Sequence, residues 1–209
     1  MGPTRLERWL SGFEDRHGPG ACLPGEHSVV VTAQDGSLAE CHVPLGPLRV
    51  DPADRFGGLV AHTSADRLVA VLLFRLGGHA AGVFDGDRLV ASKVGSRLVH
   101  GRSSAGGWSQ HRFARRRQGQ VAAATVAAAD TAAAVLLPWM GRLEALILGG
   151  DRAAVTAVLR DPRLVALKPI VAGAFLDVPD PRQRVLEQTP DQFRAVRIRL
   201  VEAIPVTGT

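Results

Sequence analysis

The residues whose types and spacing could do chemistry lie between Gly101 and Gln120. This segment is typical of a flexible glycine-rich loop with a polar serine–glutamine tip, followed by the start of a basic helix. Arg112, Arg115 and Arg116 stand at positions i, i+3 and i+4, so they share one helix face and could follow a phosphate backbone. The N-terminus of the helix would add its own partial positive charge and free N–H groups beside the loop.

A neighbouring face of the same helix is expected to meet the protein core. Phe113 falls on that face together with Val121, Ala124 and Ala128, which would anchor the helix. Arg117 points towards the same side. We therefore expect Arg117 to be partly buried and to have a partly structural role.

The distribution of charge indicates a local binding element. The formal net charge is +5, from 25 basic and 20 acidic residues. Residues 88–129 contain seven Arg, one Lys and no acid, so this window carries +8 and the remainder of the chain −3. The pattern favours a local site for a polyanion over a uniformly basic surface. A blander interpretation is a disordered loop followed by a solvated helix turn, but surface helices that serve only solubility usually mix Glu with Arg.

Length and composition exclude several protein classes. A chain of 209 residues with 46% hydrophobic and 22% charged residues is typical of one globular domain, alone or with a short flanking unit. No apolar run approaches the roughly 20 residues of a membrane span, and charges are spread over residues 1–20, so we expect neither a transmembrane nor a secreted protein. Cys22 and Cys41 form no CxxC pair, which predicts a reducing, cytoplasmic location.

Three further features are weaker candidates for chemistry. Cys41 and His42 are neighbours in a presumed strand and point to opposite faces, which argues against a nucleophile–base pair. Gly149-Gly150 at a strand end lacks the rest of a phosphate-binding motif and predicts a structural turn. The histidines have neither metal-ligand spacing nor a carboxylate companion, so we expect no metal and no cofactor. They are His17, His27, His42, His62, His79, His100 and His111.

The first part of the chain predicts a helix and a hairpin. Apolar residues at helical spacing predict a short helix over residues 4–17. His27–Ala33 and Ser37–Val43 are β-prone runs joined across Asp35-Gly36, which predicts a hairpin. Several Pro and Gly residues then predict a linker, with a boundary near residue 56.

The middle of the chain predicts a sheet whose second hairpin leads into the loop. Leu68–Phe74 is a continuous apolar run, which predicts a buried central strand. His79–Phe84 and Arg88–Val94 predict a hairpin across the turn at residues 85 and 86, followed by an exposed loop over residues 95–109. A long helix is expected from His111 to Leu137, ended by Pro138, with a middle of small residues that can lie close to a sheet.

The last third alternates strands and helices. Leu143–Leu148 predicts a buried strand, followed by an amphipathic helix; Val171–Leu176 predicts a last strand, and Arg182–Ala203 a C-terminal helix interrupted near Pro190. We therefore predict a mixed α/β fold, with helices packed on a mixed sheet. Its domains would be an N-terminal flanking helix and hairpin (residues 1–56) and one compact α/β unit (residues 57–205).

The loop and the helix start resemble a known family. Release factors of eukaryotes and archaea have a central domain with a hairpin, a Gly-Gly-Gln loop and a helix that opens with an Arg-Phe-Ala-Arg-type sequence. The Phe84-Asp85-Gly86 turn, the Leu143–Gly150 strand and the helix start at residues 112–117 are similar to it. The closest resemblance is to the actinobacterial branch of the Vms-like release factors, through Gly106-Gly107-Trp108-Ser109-Gln110 and the arginine run. The resemblance covers roughly residues 60–180, and only residues 101–120 are highly specific.

The resemblance implies a fold, an activity and partners. The implied fold is the release-factor central domain, with RNase H-like architecture. The implied activity is hydrolysis of peptidyl-tRNA, without a cofactor, in the rescue of stalled ribosomes or obstructed large subunits. The implied partners are the large ribosomal subunit, peptidyl-tRNA and ribosomal RNA, with no membrane, and we expect a monomer in the cytoplasm.

The resemblance also implies roles for individual residues. Gln110 would position the attacking water and help to stabilise the oxyanion. Gly106, Gly107 and Ser109 would give the loop its conformation. The residues implied to contact RNA are Arg102, Trp108, His111, Arg112, Arg115, Arg116 and Arg117.

The loop can be superposed on the family pattern in two ways. If the Arg-Phe-Ala-Arg sequences are aligned, Trp108 takes the place of the family's glutamine. If the loop tips are aligned, Gln110 takes that place, Ser109 replaces the second glycine and Trp108 the first. We favour the second alignment, because Trp has no group that can position a water by accepting its hydrogen bond. Two alternative functions are an endonuclease that cleaves the tRNA 3′ end and a non-catalytic ribosomal RNA-binding protein.

Overall fold

The structure is a computed structural model that describes residues 1–75, 77–96 and 109–203, and for residues 109–116 the backbone alone. The chain forms two compact units, Met1–Ala65 with Pro190–Thr209, and Asp66–Thr189. The observed boundary thus follows Ala65, whereas the sequence predicts one near residue 56. The difference arises because Phe56 and Leu59 pack into the core of the first unit and because the C-terminal residues return to it.

The first unit is a helix packed on an antiparallel sheet. The predicted N-terminal helix and hairpin are confirmed, and Gly36 in the hairpin turn has a φ of +87°. The strands follow the order β1-β2-β3-β8, and Leu6, Leu10 and Phe13 of the helix are buried against the sheet. The elements are α1 (Pro3–His17), β1 (Ala21–Pro24), β2 (Ser28–Thr32), β3 (Leu38–His42), α2 (Leu59–Ser64), α6 (Pro190–Phe193) and β8 (Arg197–Val201).

The second unit is a mixed four-stranded sheet in the order β6-β5-β4-β7. The strand β4 lies between an antiparallel neighbour, β5, and a parallel neighbour, β7, which confirms the predicted buried central strand. The elements are β4 (Leu68–Arg75), β5 (Gly78–Asp85), β6 (Arg88–Ser96), α3 (Ser109–Leu136), a 3₁₀ helix (Leu137–Trp139), β7 (Ala145–Gly150), α4 (Arg152–Val158), a second 3₁₀ helix (Pro162–Ile170) and α5 (Gln183–Glu187).

Helices cover both faces of this second sheet. The helices α3 and α4 share one core with the face that carries Ala70, Leu72 and Ala81. The other face is covered by α5, whose Leu186 side chain closely approaches Gly82. The predicted mixed α/β class is therefore confirmed.

Two predictions for the last third are wrong. Val171–Leu176 is not a strand: it touches β7 only through isolated bridges at its two ends, because Gly173, with a φ of +72°, turns the chain between them. Arg182–Ala203 is not one helix either. After α5 and α6 the chain becomes strand β8, which pairs with β3.

The helix α3 and the 3₁₀ helix that follows it contain a stretch with the length and composition of a membrane span. Residues Arg117–Trp139 have a mean hydropathy of 1.7 in their most apolar part, 44% of which is buried within the protein. The sequence-based expectation that no segment approaches this length is therefore wrong. Its apolar residues serve the core of the second unit, where Ala124, Ala128 and Ala132 pack on the sheet.

Candidate functional site

The candidate site lies where the chain leaves β6 and enters α3. The predicted loop falls mostly on residues outside those that the structure describes, namely 97–108. Four predicted site residues lie there: Arg102, Gly106, Gly107 and Trp108. The others belong to the beginning of α3, which starts at Ser109, two residues before the predicted start. They are Ser109, Gln110, His111 and Arg112 in the first turn, followed by Arg115, Arg116 and Arg117.

The first turn of α3 thus contains both the serine and the glutamine of the polar tip. The first backbone N–H groups of a helix have no acceptor within it, and they carry the positive end of its dipole. Ser109 and Gln110 therefore stand on regular helical backbone, beside N–H groups that have no acceptor within the helix. This arrangement suits an anionic or developing oxyanionic group.

Arg117 is exposed, which corrects the expectation that it is partly buried. Its position agrees with the predicted helix face, since it precedes Ala124 by two turns and Ala128 by three. The core does not extend that far along the helix: the first buried side chain described in α3 is that of Ala124. Arg117 is thereby left free to contact a ligand.

The beginning of α3 is far from the buried anchor of the helix. At 1.5 Å per residue, Ser109 lies about 22 Å from Ala124 along the axis. Between them, Arg117, Gln118 and Gly119 are exposed, and a Cβ added at Gly119 would meet no other atom within 4 Å. The side chain of Phe113, predicted to anchor this part, is outside the described atoms.

The part of α3 from Ala124 onwards, which packs against the sheet, makes one polar contact with that sheet among the described residues. His79 Nε2 on β5 lies 3.0 Å from Thr131 Oγ1 on α3, and both side chains are buried, with 6% and 4% exposure. Gly95 on β6 is the ladder partner of His79. The imidazole occupies the space that a Cβ at residue 95 would need. Sequence reasoning dismissed His79 as a metal ligand and missed this contact, although a histidine within an apolar strand was a usable signal.

Positive charge dominates the surroundings of the site. Every Asp and Glu of the chain lies outside residues 88–129. Arg88 is 3.4 Å from Asp85, whereas Lys93 and Arg117 have no carboxylate within ion-pair distance in the described part of the chain. The second unit carries 17 basic and 10 acidic residues and is thus +7, whereas the first unit is −2. The positive charge inferred from the sequence therefore belongs to the second unit.

The Gly149-Gly150 pair is a structural turn, as predicted. Gly150 has a φ of +102°, and a Cβ there would overlap the carbonyl oxygen of Phe74. A Cβ at Gly149 would lie 2.8 Å from a methyl group of Leu73. The next residue, Asp151, accepts a hydrogen bond of 3.0 Å from Ala154 N and so caps α4.

The remaining polar candidates show no site among the described residues. No group of three potential metal ligands is found there, but His17 does have a carboxylate companion, with Nδ1 at 2.9 Å from Asp35 Oδ2, which corrects the sequence-based expectation. Cys41 is buried and His42 exposed, so their predicted opposite orientation is confirmed. Burial raises the pKa of the Cys41 thiol to about 12, with Cys22 and Glu40 as smaller causes.

Comparison with known proteins identifies a family. The model described as "Actinobacteria/chloroflexi VLRF1 release factor" matches residues 67–199. No curated protein sequence matches the chain. Among solved structures, the chain is similar to the archaeal translation termination factor aRF1, with 18% identity, a TM-score of 0.46, and coverage of 78% of this chain and 49% of that one. A second archaeal protein has 18% identity, a TM-score of 0.36, and coverage of 76% and 48%. The chain thus spans about half the length of both structures.

Proposed function

Because the chain belongs to the Actinobacteria/chloroflexi VLRF1 release factor family and therefore has a role in translation at the ribosome, we propose that it hydrolyses peptidyl-tRNA. The substrate would be a nascent chain held on a stalled ribosome or an obstructed large subunit. The proposal includes a cytoplasmic location, a monomeric state and contacts with ribosomal RNA and the tRNA acceptor end.

The observation that carries the proposal is the basic beginning of α3. Ser109 lies about 22 Å along the helix axis from Ala124, the first of the described side chains of α3 that is buried. Arg117 between them is exposed, and no acid occurs from residue 88 to residue 129. The catalytic centre of a ribosome is surrounded by RNA phosphates, from which a carboxylate would be repelled. A cationic segment without carboxylates has the charge that can enter such surroundings.

The reaction needs few protein groups. Water adds to the ester carbonyl carbon, the bond from that carbon to the ribose oxygen breaks, and a proton passes to the ribose oxygen, so the products are a peptide carboxylate and a tRNA with an intact 3′ end. We assign Gln110 to hold the water through its amide. The unpaired N–H groups of the first turn of α3 would stabilise the oxyanion.

The other proposed residues support this geometry or the binding of RNA. Gly106 and Gly107 would give the loop its conformation, and Ser109 would begin the helix so that Gln110 follows on regular backbone. Trp108 would stack on a base. Phosphate contacts are assigned to Arg102, His111, Arg112, Arg115, Arg116 and Arg117.

The test is a peptide-release assay on isolated large subunits that carry peptidyl-tRNA. Gln110→Ala should reduce release by about 100-fold or more, as expected for a lost oxyanion or water-positioning contact, with little change in subunit binding. The matched control is Gln118→Ala, which changes an exposed glutamine two turns further along the same helix. Equal release by the two variants would refute the assignment.

The same assay separates the alternative functions. Trp108→Ala compared with Gln110→Ala shows which residue occupies the place of the family's glutamine. A released tRNA that lacks its terminal nucleotides would indicate an endonuclease. Binding without release by the wild-type protein would indicate a non-catalytic RNA-binding protein.

A further inference from the structure

One buried side chain touches both elements that flank the loop. The loop is entered from β6 and left through α3. The His79 imidazole on β5 lies over Gly95 of β6, one residue before the end of that strand at Ser96. Its Nε2 is 3.0 Å from Thr131 Oγ1 of α3. The ring of Phe74 meets the same imidazole edge-on, with centroids 6.4 Å apart.

We propose that His79 is a positioning residue, which fixes the tilt of α3 through Thr131 and thereby places the Ser109–Gln110 turn against the substrate. This inference rests on the proposed function. The inference gives a role in the reaction to a buried residue of the sheet, whereas the roles proposed above belong to the loop and to the beginning of α3.

The geometry of α3 makes its tilt critical. Thr131 and Ser109 are about 33 Å apart along the helix, so a rotation of about 2° at Thr131 moves Ser109 by about 1 Å. The neighbouring contacts of the helix with the sheet are largely alanine methyl groups, which have no preferred direction. A hydrogen bond does have one, and the one between His79 and Thr131 joins two buried side chains.

The two steps of the proposed reaction respond differently to such a tilt. Attraction between arginines and phosphates acts over a screening length of about 8–10 Å, so a displacement of about 1 Å hardly changes it. Positioning of a water against an ester carbonyl tolerates much less, and a misplacement of about 1 Å can cost up to about 100-fold in rate. Loss of the His79 contact should therefore lower the rate at saturation while leaving binding nearly unchanged.

The primary test compares Thr131→Val with Thr131→Ser. Valine has the shape of threonine without the hydroxyl, whereas serine keeps the hydroxyl and loses only a methyl group. Thr131→Val should lower release at saturating substrate by at least about tenfold, with the half-saturating concentration within about twofold, and Thr131→Ser should restore most of the rate. Equal rates for the two variants, or a loss confined to the half-saturating concentration, would overturn the proposal.

A second test uses the close approach of His79 to Gly95. Gly95→Ala introduces a methyl group into the space of the imidazole and should lower the release rate as Thr131→Val does. Combining Gly95→Ala with His79→Ala removes the overlap, so the double variant should lose no more than His79→Ala alone. An additional loss in the double variant would contradict the proposed arrangement.

A structural readout separates failure of this proposal from failure of the proposed function. Spin labels on cysteines introduced at Asp87 and Gln118, both exposed, report the distance from the β5–β6 turn to the N-terminal part of α3, in a background with Cys22 replaced by serine. Thr131→Val should shift or broaden this distance relative to Thr131→Ser. An unchanged distance would overturn the positioning role even if release is active, and a changed distance would support it even if release is absent in the wild type.

Discussion

Arg163 and Asp130 are joined by a hydrogen bond of 2.8 Å between Nη2 and Oδ1. Asp130 is the first acid after residues 88–129 and the only one in α3. Arg163 also binds Asp161, through Nε and Nη2 at 2.9 and 2.8 Å. The one carboxylate of α3 therefore shares the guanidinium of Arg163 with Asp161, and this group ties the helix to the segment that follows α4.

The Asp161–Arg163 contact should make stability depend on acid pH. Hydrogen bonds from the Arg163 side chain and backbone lower the Asp161 pKa from its ordinary 3.8 to about 2. Because the folded value is the lower one, the stabilisation is complete above about pH 4 and is lost as pH falls towards 2. Asp161→Asn keeps an acceptor for the Arg163 backbone N–H but has no charge. The difference in denaturation midpoint between wild type and Asp161→Asn should become smaller as the pH falls from 5 to 2. The midpoint of Asp87→Asn should equal that of the wild type at every pH.

Gly119→Ala should stabilise the second unit. Gly119 lies in the exposed part of α3, and a Cβ there meets no other atom within 4 Å. Alanine in an exposed helix interior is favoured over glycine by about 0.5–1 kcal/mol. Chemical denaturation should therefore give a higher midpoint. Gly141→Ala, also in open space but in a turn after the helix, should change the midpoint less; a lower midpoint for Gly119→Ala would contradict the helical assignment.

Gly150→Ala should be strongly destabilising. Its φ of +102° is rarely adopted by residues with a side chain, and a Cβ would overlap the Phe74 carbonyl oxygen. We expect a loss of at least about 2 kcal/mol in the free energy of unfolding, from strain and backbone displacement together. Urea denaturation measures it, with Gly141→Ala as the matched control. An effect no larger than that of the control would argue against the close approach of Gly150 to Phe74.

The two cysteines should differ in their reactivity towards alkylating reagents. Cys41 is fully buried, and its pKa of about 12 leaves almost no thiolate at pH 8. Cys22 is partly exposed, and burial followed by Asp54 and Glu14 raises its pKa. Native protein should take up one label, slowly, and Cys22→Ser should take up none. Mass spectrometry counts the labels, and fast labelling of Cys41 would contradict the packing of the first unit.

Binding to large subunits should depend on salt through the arginines of α3. Replacing Arg112, Arg115 and Arg116 with alanine should flatten the slope of log affinity against log salt, by about 0.7 per lost phosphate contact on single-stranded nucleic acid. The charge-matched control replaces Arg160, Arg182 and Arg184, which are exposed elsewhere in the second unit. Equal slopes for the two triple variants would mean that binding follows total charge alone.

The elements that were predicted correctly are those determined by residues close to one another in the sequence. The hairpins at Asp35-Gly36 and Asp85-Gly86 follow from residues that tolerate tight turns, and the buried β4 follows from a continuous apolar run. The sequence did not predict that Arg197–Val201 joins the sheet of the first unit. That pairing connects residues about 160 positions apart, such as Cys41 and Ile198, and no pattern within a short window carries information about such a partner.

The sequence likewise predicted some features of the candidate site and missed others. Arginine spacing and the acid-free segment indicated a basic helix start, and α3 has its first turn there. The exposure of Arg117 was not predictable, because helical periodicity gives the face on which a residue lies but not where the opposing sheet ends. A histidine within an apolar strand signals that His79 needs a polar partner, but the identity of Thr131 as that partner was not predictable, since it depends on how a helix crosses a strand that precedes it by about 50 residues.

The pairing of β8 with β3 also determines the order in which the protein can fold as it is made. All 124 residues of the second unit, Asp66–Thr189, lie between the two parts of the first. The strand β3 ends at His42 and β8 begins at Arg197. At about 5–20 residues per second, the sheet of the first unit therefore waits about 8 to 31 s for its fourth strand, with the edge of β3 unpaired. The second unit has all of its strands before that strand is synthesised. The unit with the catalytic candidate can therefore fold first, while its flanking unit is still incomplete.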